Sequence, residues 1–122
     1  MAAEKKFYKL KNSVQHYKWG SKEYIGELLG IKSGREPMAE LWMGAHPGAP
    51  SYVIEKETEL SLIQMIEQQP EFMLGPRIMS LTGKMLPFLF KVIAAEQALS
   101  VQAHPPKKFA ESGFKASAFN KY

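Results

Sequence analysis

Residues 99–105 read Leu-Ser-Val-Gln-Ala-His-Pro, with a polar group at every second position. Side chains alternate along a strand, so Ser100, Gln102 and His104 share one face and Leu99, Val101 and Ala103 the other. Histidine offers a ring nitrogen and glutamine a carbonyl oxygen, two positions apart and within reach of one metal ion. A half-exposed strand with a solvated polar face is the commoner origin of such alternation. Two ligands are also not a zinc centre, because zinc enzymes present three protein ligands and leave a position open.

Three further residues are out of keeping with their surroundings. Lys91 interrupts the apolar run Leu-Pro-Phe-Leu-Phe-Lys-Val-Ile-Ala-Ala at 86–95. Lysine is rarely buried without a partner, so Lys91 either snorkels from an edge strand or lines a pocket that receives an anion such as phosphate. Glu40 stands in the apolar segment Ala-Glu-Leu-Trp-Met-Gly-Ala-His-Pro at 39–47, as a solvent-facing or a pocket carboxylate. Trp19, in Asn-Ser-Val-Gln-His-Tyr-Lys-Trp-Gly-Ser at 12–21, can stack on a sugar ring or fill the core. His16 reads as surface and His46 as structural. The sequence holds no GxGxxG, Walker A, GxSxG or HExxH motif.

The elements that must position these groups are short. Phe7–Val14 reads as a weak strand. Ser21 caps a helix that places Tyr24, Ile25, Leu28 and Leu29 on one face and stops at Gly30. Residues 32–37 form a loop, and Ala39–Met43 and Ser51–Ile54 form strands. Thr58 caps a helix through Gln69 that buries Leu62, Met65 and Ile66 and ends at Pro70. Residues 72–85 read as irregular. Phe88–Ile93 and Leu99–His104, joined by a turn over 95–98, read as a hairpin that brings Lys91 near the Ser/Gln/His strand. A short helix over Lys107–Ser112 stops at Gly113, and the segment after it has no clear period. Short strands with a few helices predict a mainly β fold, a sandwich or barrel.

Bulk composition sets the outer bounds. The 122 residues are 45% hydrophobic and 23% charged, which suits one domain with a real core. No apolar run approaches the ~18 residues needed to cross a bilayer, and the N-terminus has no apolar signal core. Cysteine is absent, which excludes disulfides and thiolate metal sites and fits a reducing compartment. A cytoplasmic location is expected. The net charge of +4 comes from scattered lysines rather than a basic block, so neither nucleic acid nor a membrane is an expected partner.

Taken together, four stretches resemble the N-terminal part of type I mannose-6-phosphate isomerases: residues 12–21, 39–47, 86–95 and 99–105, in the family's order and at about its spacing. The resemblance implies a cupin-type (jelly-roll or double-stranded β-barrel) fold, incomplete in this chain, with residues 1–122 forming the N-terminal part of one catalytic domain. It implies a Zn²⁺-dependent aldose–ketose isomerase that interconverts mannose 6-phosphate and fructose 6-phosphate and so serves GDP-mannose synthesis. Gln102 and His104 are then zinc ligands, Ser100 lines the substrate site, and Lys91, Trp19 and Glu40 lie at or near the pocket. Such a reaction carries a proton between neighbouring carbons through an enediolate, whose charge a nearby metal stabilises.

The family completes its site with a Glu in a Lys-Pro-Glu motif and with a later His, and neither motif occurs here. Its candidate proton-transfer groups are expected beyond Tyr122, so the remainder of an isomerase chain is needed to complete the site. Position 106 is Pro where an acidic residue is usual. This chain alone is accordingly expected to be inactive. The alternative is a non-catalytic interaction module, a short isoform that pairs with partners.

Overall fold

The structure, a computed structural model, describes residues 7–32, 34–55 and 58–119. Residues 1–6, Ser33 of the 32–37 loop and the aperiodic residues 120–122 lie outside them. Two three-stranded antiparallel sheets carry the core. One has the order β1 (Lys9–Lys11), β4 (Tyr52–Glu55), β5 (Thr58–Ser61). The other has the order β2 (Ser13–Gln15), β3 (Glu40–Gly44), β6 (Leu89–Ile93). The expected single strand over Phe7–Val14 is thus two strands, broken at Asn12 and belonging to different sheets.

The register of the second sheet sorts its side chains cleanly. Leu41 lies opposite Val14 and Val92, and Met43 opposite Phe90, so these share one face. That face meets Ile25, Met38 and Ala94 to form the hydrophobic core. Glu40 lies opposite Gln15 and Ile93, and Trp42 opposite Ser13 and Lys91, so the other face carries the polar groups.

Ser51 ties the two sheets together. It is fully buried and its hydroxyl donates to Asn12 Oδ1 at 2.8 Å. The same hydroxyl accepts from the Gly44 N–H at 3.0 Å, while the Ser51 N–H donates to the Gly44 carbonyl at 2.8 Å. Asn12 is the break between β1 and β2, and Gly44 is the end of β3, so one serine fixes three chain passages. Ser51→Ala takes the hydroxyl partner from the buried Gly44 N–H and from the half-buried Asn12 side chain. It is expected to cost about 2 kcal/mol, read as a lower urea midpoint with an unchanged slope.

Several helix boundaries differ from the sequence expectation for identifiable reasons. The first helix, α1 (Tyr24–Leu29), starts later than expected, and Ser21 accepts the Glu23 N–H at 3.2 Å rather than capping α1. Gly30 ends α1 in the left-handed conformation, as expected. Ile25 is buried, but Tyr24, Leu28 and Leu29 of its expected apolar face are exposed. Thr58 begins β5 instead of capping a helix. Ser61 caps α2 (Leu62–Gln68) in its place, because Gln64 at the third position closes a capping box. Met65 and Ile66 are buried as expected, while Leu62 is half-buried.

Pro70 does end α2, yet it also opens α3 (Pro70–Thr82) as its first residue. The stretch read as irregular is therefore helical as far as Thr82. Gly75, at φ 75° and ψ 158°, kinks it just before Pro76, whose ring excludes a helical residue in front of it. The last helix, α4 (Lys107–Phe119), passes through Gly113 rather than stopping there.

The expected hairpin is not formed. Residues 99–106 have no strand assignment, and β6 pairs with β3 alone among the described residues. The chain after β6 stays on the β3 side. The Ala94 N–H donates to the Ala39 carbonyl at 2.9 Å, Ala95 bridges Gly20, and the Glu96 N–H donates to the Trp19 carbonyl at 2.9 Å.

Candidate functional site

The polar face of the β2–β3–β6 sheet builds a compact charged cluster. Glu40 and Trp42 are two apart on β3, so their side chains rise side by side. The Trp42 indole N–H donates to Glu40 Oε2. Lys91, opposite Trp42 across the ladder, donates to the same oxygen at 3.1 Å. Its ammonium also stands 4.7 Å from the centre of the Trp42 ring, a cation–π contact. The Glu40 side chain is only 11% exposed, whereas that of Lys91 keeps 35% of its surface. The carboxylate is thus enclosed and satisfied, and the cation reaches outward.

The loop after β3 adds His46. Its ring meets the Trp42 ring edge-on at 4.9 Å, and its Nδ1 accepts the Gly48 N–H at 3.1 Å. A cleft of about 320 Å³ lined by His46, Pro47, Met85, Leu86 and Phe88 adjoins the cluster there. Trp42 and His46 were not among the expected site residues. The signal for Trp42 was present, since it shares the strand parity of Glu40.

The other expected residues are placed elsewhere. Trp19 is half-buried and its ring stacks on Tyr17, with centroids 5.7 Å apart. Ser100, Gln102 and His104 are exposed and make no hydrogen bond among the described residues. They do not reach Lys91, because the hairpin that would carry them is absent. A second cleft, of about 600 Å³, is lined by Lys18, Lys22, Tyr24, Arg35 and Glu96 and includes none of the expected site residues.

No three His, Asp or Glu side chains lie close enough to hold a metal ion among the described residues. Gln102 and His104 are suitable zinc donors by chemistry, but they are two where a closed or catalytic centre needs at least three. The residues present therefore fit part of a zinc site and do not complete one.

The model of the phosphomannose isomerase type I catalytic domain matches residues 7–122. The chain belongs to the type I phosphomannose isomerase family. It is 50% identical over 108 residues to a mannose-6-phosphate isomerase of Salmonella typhimurium, covering 87% of this chain and 27% of that protein. It is 37% identical over 125 residues to mannose-6-phosphate isomerase 1 of Arabidopsis thaliana, covering 94% and 29%. A zinc-bound crystal structure of mannose 6-phosphate isomerase superposes with a TM-score of 0.85 at 46% identity, over 94% of this chain and 29% of that one. The chain thus spans less than a third of the phosphomannose isomerases it matches. The two antiparallel sheets and four helices among its described residues are the corresponding part of their mainly β, cupin-type fold. No helix among the described residues is long and apolar enough to cross a membrane.

Proposed function

We propose that this chain is the N-terminal part of the catalytic domain, within residues 1–122, of a zinc-dependent isomerase acting on mannose 6-phosphate and fructose 6-phosphate. The observation that supports it is the family match over residues 7–122, which takes in Trp19, Glu40, Lys91, Ser100, Gln102 and His104 together.

In this reading the polar sheet face is one wall of the sugar-phosphate site. Lys91 meets the anionic end of the substrate or the charge that develops on its oxygens. Glu40 acts as a positioning residue. It accepts from Lys91 and Trp42 at once and so fixes where the ammonium stands. The Trp42 ring beneath Lys91 keeps water from one side of that cation. Ser100 binds substrate, and Trp19 offers a ring for sugar stacking. Gln102 and His104 would hold zinc, which when bound supplies a Lewis acid for an enediolate. The remaining donors and the proton-transfer groups come from outside this chain.

Two experiments test the reading. A coupled isomerase assay on the 122-residue chain with added Zn²⁺ is expected to give no turnover above an apo control, and clear turnover would overturn the incomplete-site account. Residues 1–122 grafted in place of the matched region of the Salmonella typhimurium relative are expected to restore zinc-dependent conversion. A folded, zinc-loaded graft with no turnover would overturn the assignment of the sheet face.

A further inference from the structure

The Lys91 ammonium sits on a flexible four-carbon stem and has three N–H bonds to place. A single hydrogen bond to Glu40 Oε2 leaves that stem loose, because a carboxylate oxygen accepts over a broad range of directions. Trp42 adds a second restraint. Its indole N–H donates to the same Oε2 and so holds the acceptor still, and its ring stands 4.7 Å from Lys91 Nζ at the centroid. The register makes both contacts possible, because Trp42 lies directly opposite Lys91 and two residues from Glu40.

Trp42 is only half-buried, so its ring needs a stop of its own. His46 supplies one. The two rings meet at 68° with centroids 4.9 Å apart. The turn after β3 holds the imidazole in its place. Its Nδ1 accepts the Gly48 N–H at 3.1 Å, so Nε2 carries the proton of the neutral ring. A Cβ on Gly48 would stand 3.3 Å from Cε1 and Nδ1 of that ring, so the imidazole takes the space a side chain there would fill. The Ala49 N–H donates to the His46 carbonyl at 3.1 Å, and Ser51 binds the far end of the turn back to Gly44. Every contact in this line of support lies within residues 40–51 and Lys91.

We propose that Trp42, braced by His46, is a positioning residue that sets where the Lys91 ammonium stands, and through it the affinity of the polar sheet face for the anionic group of a sugar phosphate. One N–H of the ammonium goes to Glu40 and the indole closes a second side, so the direction left for an anionic oxygen is narrow. Both aromatic residues act through the cation. The choice of anion rests on the proposed reading of this face, whereas the placement of Lys91 by Trp42 and His46 does not.

The placement is read in the 122-residue chain by proton NMR of the Lys91 side chain. The methylene next to Nζ is expected upfield of the other lysines, under the ring current of the indole. Trp42→Leu should abolish that shift, and His46→Ala should reduce it while Trp42 and Glu40 are still present. A Lys91 methylene unshifted in the parent, or unmoved by His46→Ala, would overturn the braced placement. The link to the anion is read in the grafted enzyme. Trp42→Phe keeps a ring and loses the N–H, and it is expected to raise KM for mannose 6-phosphate about tenfold with a smaller fall in kcat. His46→Ala should raise KM less, and His46→Phe, which keeps a ring edge against Trp42, should restore most of the parent value. Parent-like KM in both Trp42→Phe and His46→Ala would overturn the link. A parent graft with no turnover contradicts the reading of the face, and the anion with it, while the NMR shifts still decide the placement.

Discussion

Replacing Glu40 with leucine is expected to destabilise the chain by about 3 kcal/mol. The carboxylate is almost enclosed, and two donors depend on a single oxygen of it. Leucine leaves the Trp42 N–H without an acceptor and the Lys91 ammonium beside an apolar side chain. Lys91 is about a third exposed, so it can turn partly into water, and the cost stays near the low end for a broken buried pair. Glu40→Gln keeps an acceptor for the indole and loses only the charge, so about 1 kcal/mol is expected. The double replacement Glu40→Leu with Lys91→Met should recover part of the loss, because it removes the stranded cation together with its partner. Urea midpoints of the four proteins measure this. Equal midpoints for Glu40→Leu and the parent would mean that the cluster is a solvated surface pair.

Gly20→Ala is expected to be as damaging, by about 3 kcal/mol, with no change in charge or hydrogen bonding. A Cβ at Gly20 would lie 2.5 Å from the Ala39 Cα and 2.6 Å from the Ala39 N. These are backbone atoms of a fully buried residue just before β3, and they cannot step aside as a flexible side chain could. Relief requires moving either the 19–20 segment, which holds residues 95 and 96, or the strand that carries Glu40. The variant should therefore lose stability and also perturb the Trp42 fluorescence of the folded state. A Gly20→Ala protein with the parent midpoint would show that the close approach of these two backbones is not a feature of the molecule.

The parts of the fold legible in the sequence are those with strong local causes. Gly30 ended a helix because only a left-handed residue closes it well, and Pro70 ended α2 because its nitrogen has no proton. Met65 and Ile66 were found inside from helical spacing. The sheet face was half legible, since Glu40 and Lys91 were marked by their apolar neighbours, but their partnership depends on a register that spacing cannot supply. The Trp42 bridge depends on it too. The failures have the same origin. Residues 88–104 alternate as a hairpin should, yet the backbone bonds of residues 94–96 to Ala39, Gly20 and Trp19 are long-range and leave no trace in the local pattern. Residues 72–85 read as irregular, whereas residues 72–82 are helical and Gly75–Pro76 is a kink between two helical stretches.

The assignment of Gln102 and His104 meets its most direct test in the grafted enzyme, with residues 1–122 joined to the rest of the Salmonella typhimurium relative. Bound zinc and the rate of fructose 6-phosphate formation are measured together, with and without His104→Ala. The account predicts that the substitution removes most of the metal and lowers the rate by at least about a hundredfold while the protein stays folded. Full zinc content and an unchanged rate in His104→Ala would contradict it.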